Sequence, residues 1–596
     1  MRQTRFKGEK KMAYGKILTA AFAAVLATGA ANAMEKICLD GLWEFRFEKD
    51  RAMENVPMPA FEANDRMVVP GCWNSTTRYY NQHGTGCYRT SFELGDGVAN
   101  AFLVVEGFGM RARFWVDGRE IGSSAQPWST VEFATGPMKA GRHELVAAVD
   151  SIVDNTKLKM FWDFYDFYPF GGFHHGVDLV LQREPVELRT VAIRTRDYRT
   201  GAVELEARFE GDGAPADFTA DVAFDGKAFV KVAFKDRRAS VKVPGFRLWS
   251  HKAPNLHTVT VKVPSAGGAV TERFGIRQVS TSGGRIVLNG EPVYIKGVNR
   301  HESHYEFGCT TPEQLMYEDI TLVKDLGGNF IRGSHYPQCE RFLALCDEIG
   351  ILVWEESLGW GNRIEQLGNE EFRNRQIEAT RMMARRSINH PCIIISGFLN
   401  EPQSQLPECR SLVDSLVETI RAEDTGHLVT FASFRNTDDA SHANTDIIAY
   451  NAYPGWYSHA PVTGTGDEMR ASIRKCHEGI VGYYRGKYRD NRPIIVSESG
   501  VKADYGVRDP RGKAQMTEDH QAEYTRLMIE ELFSMKEIAG LAIWQMTDAK
   551  TYTRRTRGFY TRSYGVNTGG LFDLYRRPKL SVEEVRRLYR AKSELD

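Results

Sequence analysis

Residues 393–401 read IIISGFLNE, and residues 493–500 read PIIVSESG. Each is a short apolar run, typical of a buried strand, and each carries a glutamate near its end, Glu401 in the first and Glu498 in the second. Six further runs of this style lie at 294–301, 329–337, 351–358, 427–434, 447–454 and 541–548. Eight such runs, alternating with helical patterns across residues 277–596, predict a (β/α)8 barrel, or TIM barrel.

The two glutamates belong to the fourth and seventh runs. The carboxyl ends of barrel strands meet at one mouth, where (β/α)8 enzymes carry their catalytic groups. We therefore expect Glu401 and Glu498 to lie on opposite sides of that mouth. A retaining glycosidase needs such a pair, because one carboxyl protonates the leaving oxygen while the other attacks the anomeric carbon.

The preceding part of the chain has a different pattern. Residues 34–184 consist of short alternating runs separated by Gly and Asp turns, and residues 185–276 repeat that pattern on a smaller scale. Runs of this kind predict antiparallel β-sandwiches, the second of immunoglobulin-like size.

Residues 1–33 combine a Lys- and Arg-bearing start, the apolar run ILTAAFAAVLATGA and the small-residue site Ala31-Asn32-Ala33. This order predicts a signal peptide, and hence a periplasmic or secreted protein. An N-terminal helix that tethers the chain is the alternative. The apolar run is shorter than the roughly 20 residues that a membrane span needs, so no membrane span is expected.

Composition excludes several classes of function. The 77 basic residues balance 77 acidic ones and form no basic block, so no nucleic-acid partner is expected. The nine cysteines are scattered without CxxC spacing, which argues against a disulfide framework and a zinc site. The expected partner is an oligosaccharide or glycoconjugate substrate, and a homo-oligomer is compatible with the composition.

Two longer motifs carry a family resemblance. One is Asn-His-Pro at 389–391 followed by Asn400 and Glu401; the other is NFIRGSHYP at 329–337 followed by Asp347 and GILVW at 350–354. Together they resemble the signatures of glycoside hydrolase family 2. The resemblance implies a sugar-binding jelly roll at 34–184, an immunoglobulin-like sandwich at 185–276 and a catalytic TIM barrel at 277–596.

The same resemblance implies roles for individual residues. Glu401 would be the acid/base and Glu498 the nucleophile, which agrees with the strand positions above. Substrate contacts are implied for Asp166, His301, His335, Asn400, Tyr453, Trp544 and Asn567. Tyr453 would donate to the nucleophile, Asn400 would bind the sugar 2-hydroxyl, and Trp544 would form an apolar platform.

Two departures from the family pattern bear on the substrate. Family β-glucuronidases carry Asn-x-Lys near the last strand to bind the substrate carboxylate, whereas here residues 567–569 read Asn-Thr-Gly. Metal-dependent β-galactosidases carry Glu-x-His after strand three, where residues 360–362 read Trp-Gly-Asn. We therefore expect no metal and no cofactor, and a β-galactosidase-type substrate as first choice.

Two alternatives remain open. A β-glucuronidase or other β-uronidase would use the arginines of the loop after strand eight: Arg554, Arg555, Arg557 and Arg562. A carbohydrate-binding protein without catalysis would be marked by loss of one carboxylate, and both are present.

Overall fold

The structure is a computed structural model that describes residues 35–153, 167–266, 268–456, 466–511, 514–552, 562 and 565–594. The predicted signal peptide, the predicted site residue Asp166, and Arg554, Arg555 and Arg557 lie outside the described residues. The described residues form two β-sandwiches followed by a closed barrel, as expected from the sequence. The predicted domain boundaries themselves stay predictions.

The first sandwich packs a four-stranded sheet against a six-stranded one. The strands of the four-stranded sheet are, in sheet order, Lys36–Cys38, Val177–Gln182, Asn100–Glu106 and Thr130–Ala134. Those of the six-stranded sheet are, in sheet order, Asp65–Val69, Gly41–Lys49, Gly84–Leu94, Gly141–Asp150, Arg111–Val116 and Arg119–Ser124. Their inward side chains form one apolar core around Trp43, Trp73 and Tyr88. Such facing sheets bury their apolar faces against each other.

The second sandwich is smaller, as the sequence predicts. One sheet consists, in sheet order, of Glu187–Asp197, Ala202–Glu210 and Arg238–Lys242. The other consists of Val230–Phe234, Phe218–Phe224, His257–Lys262 and Ala269–Phe274. The three-stranded meander Val279–Ser282, Arg285–Leu288 and Glu291–Val293 then leads into the barrel.

Eight parallel strands close the barrel in chain order. They are β1 (Ile295–Arg300), β2 (Phe330–Gly333), β3 (Leu352–Trp360), β4 (Ile393–Asn400), β5 (Leu428–Ser433), β6 (Ile448–Asn451), β7 (Ile494–Ser499) and β8 (Ile538–Ile543). Each falls within or beside one of the eight predicted runs. All residues of β4 and β7 are buried, because barrel side chains pack on both faces of the sheet.

Helices surround these strands in the described part of the barrel. They are α1 (Glu313–Asp325), α2 (Glu340–Ile349), α3 (Ile364–Leu367), α4 (Glu370–Arg386), α5 (Pro407–Ala422), α6 (Asp467–Tyr488), α7 (Glu518–Ser534) and α8 (Ser581–Ala591). Within the described ranges, none of the helices combines the length and apolar character needed to cross a bilayer.

The first sandwich reaches the barrel mouth through aromatic side chains. Trp128 stacks on Tyr336, which follows β2, with ring centroids 4.8 Å apart. Phe167 lies 5.6 Å from the ring of His301 and 6.4 Å from that of His335. The sandwich therefore supplies one wall of the mouth.

A buried ion-pair network joins the start and the end of the barrel. Asp319 of α1 is fully buried and accepts hydrogen bonds from Arg300 at 2.8 Å and from Arg576 at 2.9 Å. Arg300 ends β1, whereas Arg576 lies between β8 and α8. Removing one partner of such a network leaves a buried charge without a counter-charge, which lowers the free energy of unfolding.

Replacing Asp319 with Ala should therefore destabilise the protein by about 3–5 kcal/mol, because two buried guanidiniums lose their shared acid. The matched control is Asp325→Ala on the same helix, since Asp325 pairs with Arg586 and Arg590 while its side chain is 49% exposed. That exposed pairing should contribute less than about 1 kcal/mol. Calorimetric transition temperatures compare the two variants, and equal shifts would contradict the account.

Candidate active site

The two predicted carboxylates lie at the carboxyl ends of their strands. Glu401 directly follows β4, in the left-handed region with φ of 52°, and is half-buried. Glu498 is the fifth residue of β7 and is 3% exposed. Asn451 of β6 links them: its backbone pairs with Glu498, and its side-chain amide donates to Glu401 Oε1 at 2.9 Å. The structure thus links the two carboxylates at the barrel mouth through a shared asparagine.

Arg332 of β2 is the central cation of this mouth. Its fully buried guanidinium donates to Glu498 Oε1 at 2.6 Å and forms a two-point pair with Glu356 of β3, at 3.0 Å for both bonds. It also donates to Asn400 Oδ1 at 3.0 Å and Asn299 Oδ1 at 3.1 Å. The planar guanidinium can bind two carboxylates because its donors point in fixed directions.

The two carboxylates bound to Arg332 have raised pKa values. Burial raises the pKa of Glu356 to about 7, and the Arg332 charge opposes that rise. Burial also raises the pKa of Glu498, while Arg332 and the Tyr453 hydroxyl act in the opposite direction. Each carboxylate disfavours the charge of the other, so the ionised state of Glu498 depends on Arg332.

Tyr453 follows β6 and occupies the predicted position beside the nucleophile candidate. Its hydroxyl donates to Glu498 Oε2 at 2.5 Å. Because Arg332 binds the other oxygen, both oxygens of Glu498 have a hydrogen-bond donor. This pairing fixes the orientation of the carboxylate.

The orientation of the Asn400 amide follows from its partners. Its Oδ1 accepts hydrogen bonds from Arg332 at 3.0 Å and from Asn451 at 3.1 Å. Its Nδ2 is buried and has no partner among the described residues. An amide in this state keeps a hydrogen-bond donor available next to Glu401.

The predicted histidines and Trp544 form one aromatic group. The Trp544 ring stacks on His335 at 5.4 Å and meets the edge of His301 at 5.3 Å. Burial holds the pKa of both histidines well below the usual value, so both rings are neutral. His335 Nδ1 lies 2.8 Å from Glu356 Oε1, whereas His301 Nε2 has no partner among the described residues. His301 therefore offers a second hydrogen-bonding atom to a ligand.

Asn567 ends the short strand Val566–Asn567, which pairs with Ala549–Lys550, and its side chain supports the turn that follows. Its Oδ1 accepts the Gly569 backbone N–H at 3.1 Å. A Cβ at position 569 would lie 2.9 Å from the Trp456 ring, so a lysine there requires Trp456 to shift. Trp456 in turn packs on Tyr453, with ring centroids 5.3 Å apart.

A lysine that the sequence analysis did not name borders the same tryptophan. Lys502, four residues after Glu498, places its Nζ 4.8 Å from the Trp456 ring centroid and is 7% exposed. The adjacent Ala503 N–H donates to Thr568 O at 3.1 Å. The loop after β7 therefore brings a cation to the position next to Gly569.

Two groups of side chains in the described part of the chain offer metal-ligating atoms within 4.8 Å of one another: His175, Glu302 and Cys339, and Asp347, His390 and Cys392. In the first, His175 Nε2 lies 3.0 Å from Glu302 Oε2. In the second, His390 Nδ1 lies 2.6 Å from Asp347 Oδ2. Neither group includes Glu401 or Glu498. In both groups, the hydrogen bonds between these side chains connect different structural elements.

Four site residues were missed: Arg332, Glu356, Asn451 and Lys502. Arg332 lies within the motif at 329–337, but the sequence analysis gave it no role. The pair Glu355-Glu356 lies in the second half of the third predicted run, 351–358, and carried a usable signal, since charged residues late in a barrel strand lie near the mouth. Asn451 lies in the predicted sixth strand, two residues before Tyr453. Lys502 lies in a loop, whose course the sequence pattern does not define.

A closed (β/α)8 barrel with two carboxylates at the ends of strands four and seven defines a barrel-type glycoside hydrolase. The family model described as glycosyl hydrolases family 2, TIM barrel domain, matches residues 279–592, more than half of the chain. The chain therefore belongs to glycoside hydrolase family 2, as the sequence motifs indicated.

Individual relatives add detail. The chain is 28% identical to mouse β-glucuronidase over 445 residues, covering 71% of this chain and 64% of that protein. It therefore spans just under two thirds of the length of that relative. It is 28% identical, with a TM-score of 0.83, to a family 2 β-galacturonidase from Eisenbergiella tayi bound to galacturonate, covering 94% of this chain and 98% of the other. A Bifidobacterium dentium β-glucuronidase, 24% identical with a TM-score of 0.83, shares the fold over 95% of this chain and 99% of its own.

Replacing Arg332 with Met should make stability depend more steeply on pH. Without the cation, the folded-state pKa of Glu356 and Glu498 rises further above the unfolded value, so the folded form loses stability as pH rises through those values. The loss relative to wild type should be several kcal/mol at pH 8–9 and should shrink as pH falls towards 6. Calorimetric scans from pH 6 to 9 measure it.

The control for this series is Arg381→Met, which removes an exposed arginine that pairs with Glu378 within α4. Its effect should be small and the same at every pH. If Arg332→Met lowers the free energy of unfolding by the same amount at every pH, the two buried carboxylates do not depend on this cation for their charge.

Proposed function

We propose that this protein is a retaining exo-β-glycosidase that removes terminal β-linked uronic acids. Glu498 attacks the anomeric carbon, while Glu401 donates its proton to the departing glycosidic oxygen. An α-linked glycosyl-enzyme forms and the aglycone leaves as an alcohol. Glu401 then takes a proton from water, which attacks the same carbon and releases the sugar with its original configuration.

The surrounding residues fit these steps. Arg332 and Tyr453 hold Glu498 with both oxygens hydrogen-bonded, which keeps one orientation towards the sugar. The free donor of Asn400 is placed to bind the 2-hydroxyl, a contact that strengthens in an oxocarbenium-like transition state. Trp544 and His301 would border the apolar face of the ring.

The observation that carries the choice of an acidic sugar is the position of Lys502. A uronate carboxylate in a closed site requires a charge-assisted partner, because leaving it unpaired costs binding free energy. Lys502 borders Trp456 from the β7 loop, beside the position where Gly569 leaves no cation. We propose that Lys502 binds the substrate carboxylate.

The relatives support the same choice. The mouse protein is a β-glucuronidase, and the Eisenbergiella protein, matched over nearly its whole length, is a β-galacturonidase. The alternative of a β-uronidase thus fits better than the β-galactosidase-type substrate that the sequence analysis preferred. That preference treated the missing lysine at 569 as a missing cation. We propose a β-galacturonide as the preferred substrate, ahead of a β-glucuronide.

Replacing Glu498 with Ala should lower turnover of an aryl β-galacturonide by at least about 10⁴-fold, because no nucleophile remains. Added azide should restore part of the rate and give an α-linked glycosyl azide, since it enters from the vacated face. Product configuration by NMR checks this outcome. A rate within tenfold of wild type without azide would remove Glu498 from the proposed role.

Replacing Glu401 with Ala should instead depend on the leaving group. A 2,4-dinitrophenyl glycoside needs little protonation and should keep most of its rate in the first step, whereas a phenyl glycoside should lose about 10²–10⁴-fold. Pre-steady-state rates on both substrates measure the difference. Equal losses on the two would contradict the acid/base assignment.

Replacing Lys502 with Met should lower kcat/KM for an aryl β-galacturonide by about 10- to 100-fold, because one charge-assisted contact is lost. The rate on the neutral aryl β-galactoside should not fall. Lys475→Met, on the exposed side of α6, is the matched control and should leave both substrates unaffected. A Lys502→Met enzyme with an unchanged ratio of the two substrates would exclude this lysine as the carboxylate partner.

A further inference from the structure

A cleft of about 830 Å³ opens where the first sandwich meets the barrel. The residues of the sandwich that line it include Asp50, Tyr80 and Tyr168, and those of the barrel include Tyr305, Lys550 and Arg562. Neither Glu401 nor Glu498 lines it, so it is distinct from the catalytic carboxylates. Its volume lies within the range of about 300–1,000 Å³ that small-molecule sites occupy.

Lys550 is the notable residue of this cleft. Its Nζ lies 4.1 Å from the ring centroid of Tyr168 and 4.4 Å from that of Tyr80. In the part of the chain that the structure describes, no carboxylate or other acceptor lies within hydrogen-bond distance of this Nζ. Burial lowers the pKa of Lys550 to about 8. A desolvated ammonium without an acid is unfavourable unless a ligand provides one.

The backbone holds Lys550 close to the catalytic barrel. Its N–H donates to Ser303 Oγ at 3.2 Å, and its strand pairs with Val566. Ser303 is two residues beyond His301, which contacts Trp544. The cleft wall is therefore continuous with the wall of the catalytic mouth.

The chemistry of the lining indicates an acidic carbohydrate. Tyr80 and Tyr305 are 44% and 49% exposed and offer aromatic faces to sugar rings. Arg562 adds a second cation, and Asp50 is the one acid among the described lining residues. Burial lowers the pKa of His304, so this ring is neutral and can bind hydroxyls.

We propose that this cleft is a second carbohydrate-binding site, in which Lys550 binds the carboxylate of an acidic oligosaccharide and the two exposed tyrosines pack against its sugar rings. The choice of a uronic acid as the acidic sugar rests on the proposed function. The enzyme then holds a chain of acidic sugars at two points, one at the catalytic mouth and one in the cleft.

The test measures binding without catalysis. Isothermal titration of the Glu498→Gln, Lys502→Met double variant compares trigalacturonate with its carboxyl-reduced, neutral counterpart. This background lacks the lysine proposed to bind the uronate in the catalytic mouth, and the part of any remaining preference for the acid that depends on Lys550 reports on the cleft. We expect the acidic trimer to bind at least about tenfold more tightly. Equal affinities in this background would overturn the proposal.

Further variants in that background identify the residue. Lys550→Met and Lys550→Gln should both abolish the preference for the acid, whereas Lys475→Met should retain it. A preference that survives both Lys550 changes would overturn the assignment. The transition temperature of Lys550→Met should equal or exceed that of the parent variant, because the change removes a desolvated ammonium. If Lys550 is purely structural, its substitution should lower the transition temperature and leave binding unchanged. That result would also overturn the proposal.

Failure of the proposed function gives a different result. If wild-type enzyme hydrolyses neutral aryl glycosides and no aryl uronide, the catalytic mouth does not select an acid. The change in the affinity ratio caused by the Lys550 substitutions still tests the cleft in that case.

Discussion

The site depends on one buried cation that serves two buried carboxylates. Arg332 binds Glu498 and Glu356 together and also donates to Asn400, so a single guanidinium fixes three side chains from three different strands. Burial raises the pKa of both carboxylates and so favours their protonated form. The cation offsets this effect, and the barrel places it where strands two, three, four and seven meet. The reactive geometry is therefore a property of the closed sheet, with the loops adding selectivity.

In the proposed function, the cation that binds the substrate carboxylate comes from a different loop than in the family pattern. Gly569 removes a cation from one loop, and Trp456 fills the space that a side chain there would need. Lys502 brings an ammonium to the same tryptophan from the loop after β7. A motif-based comparison detects the loss but not the replacement, since the two positions are distant in sequence. In the structure they meet beside Trp456, and the hydrogen bond from Ala503 N–H to Thr568 O joins the two loops.

Much of the architecture could be predicted from the sequence. All eight barrel strands and both glutamates follow from short apolar runs ending in polar residues, because strand burial and strand direction leave a local pattern. Lys502 could not be predicted, since its role depends on a contact between two loops. Glu356 was visible as a charged residue late in the third predicted run, but its partner Arg332 could be assigned only from the structure. Asp166 lies outside the described residues, so its implied contact stays a prediction.

The central claim is that a β-uronide reacts with Glu498 to form a covalent intermediate. The most direct measurement is mass spectrometry of the enzyme after reaction with a 2-deoxy-2-fluoro β-galacturonide carrying a dinitrophenolate leaving group, followed by peptide mapping. The fluorine slows both steps by destabilising the oxocarbenium-like transition state, and the good leaving group allows the intermediate to accumulate. The account predicts one glycosyl adduct, located on the peptide that contains Glu498. An adduct on a different carboxylate, or an adduct formed only with the neutral galactoside, would contradict it.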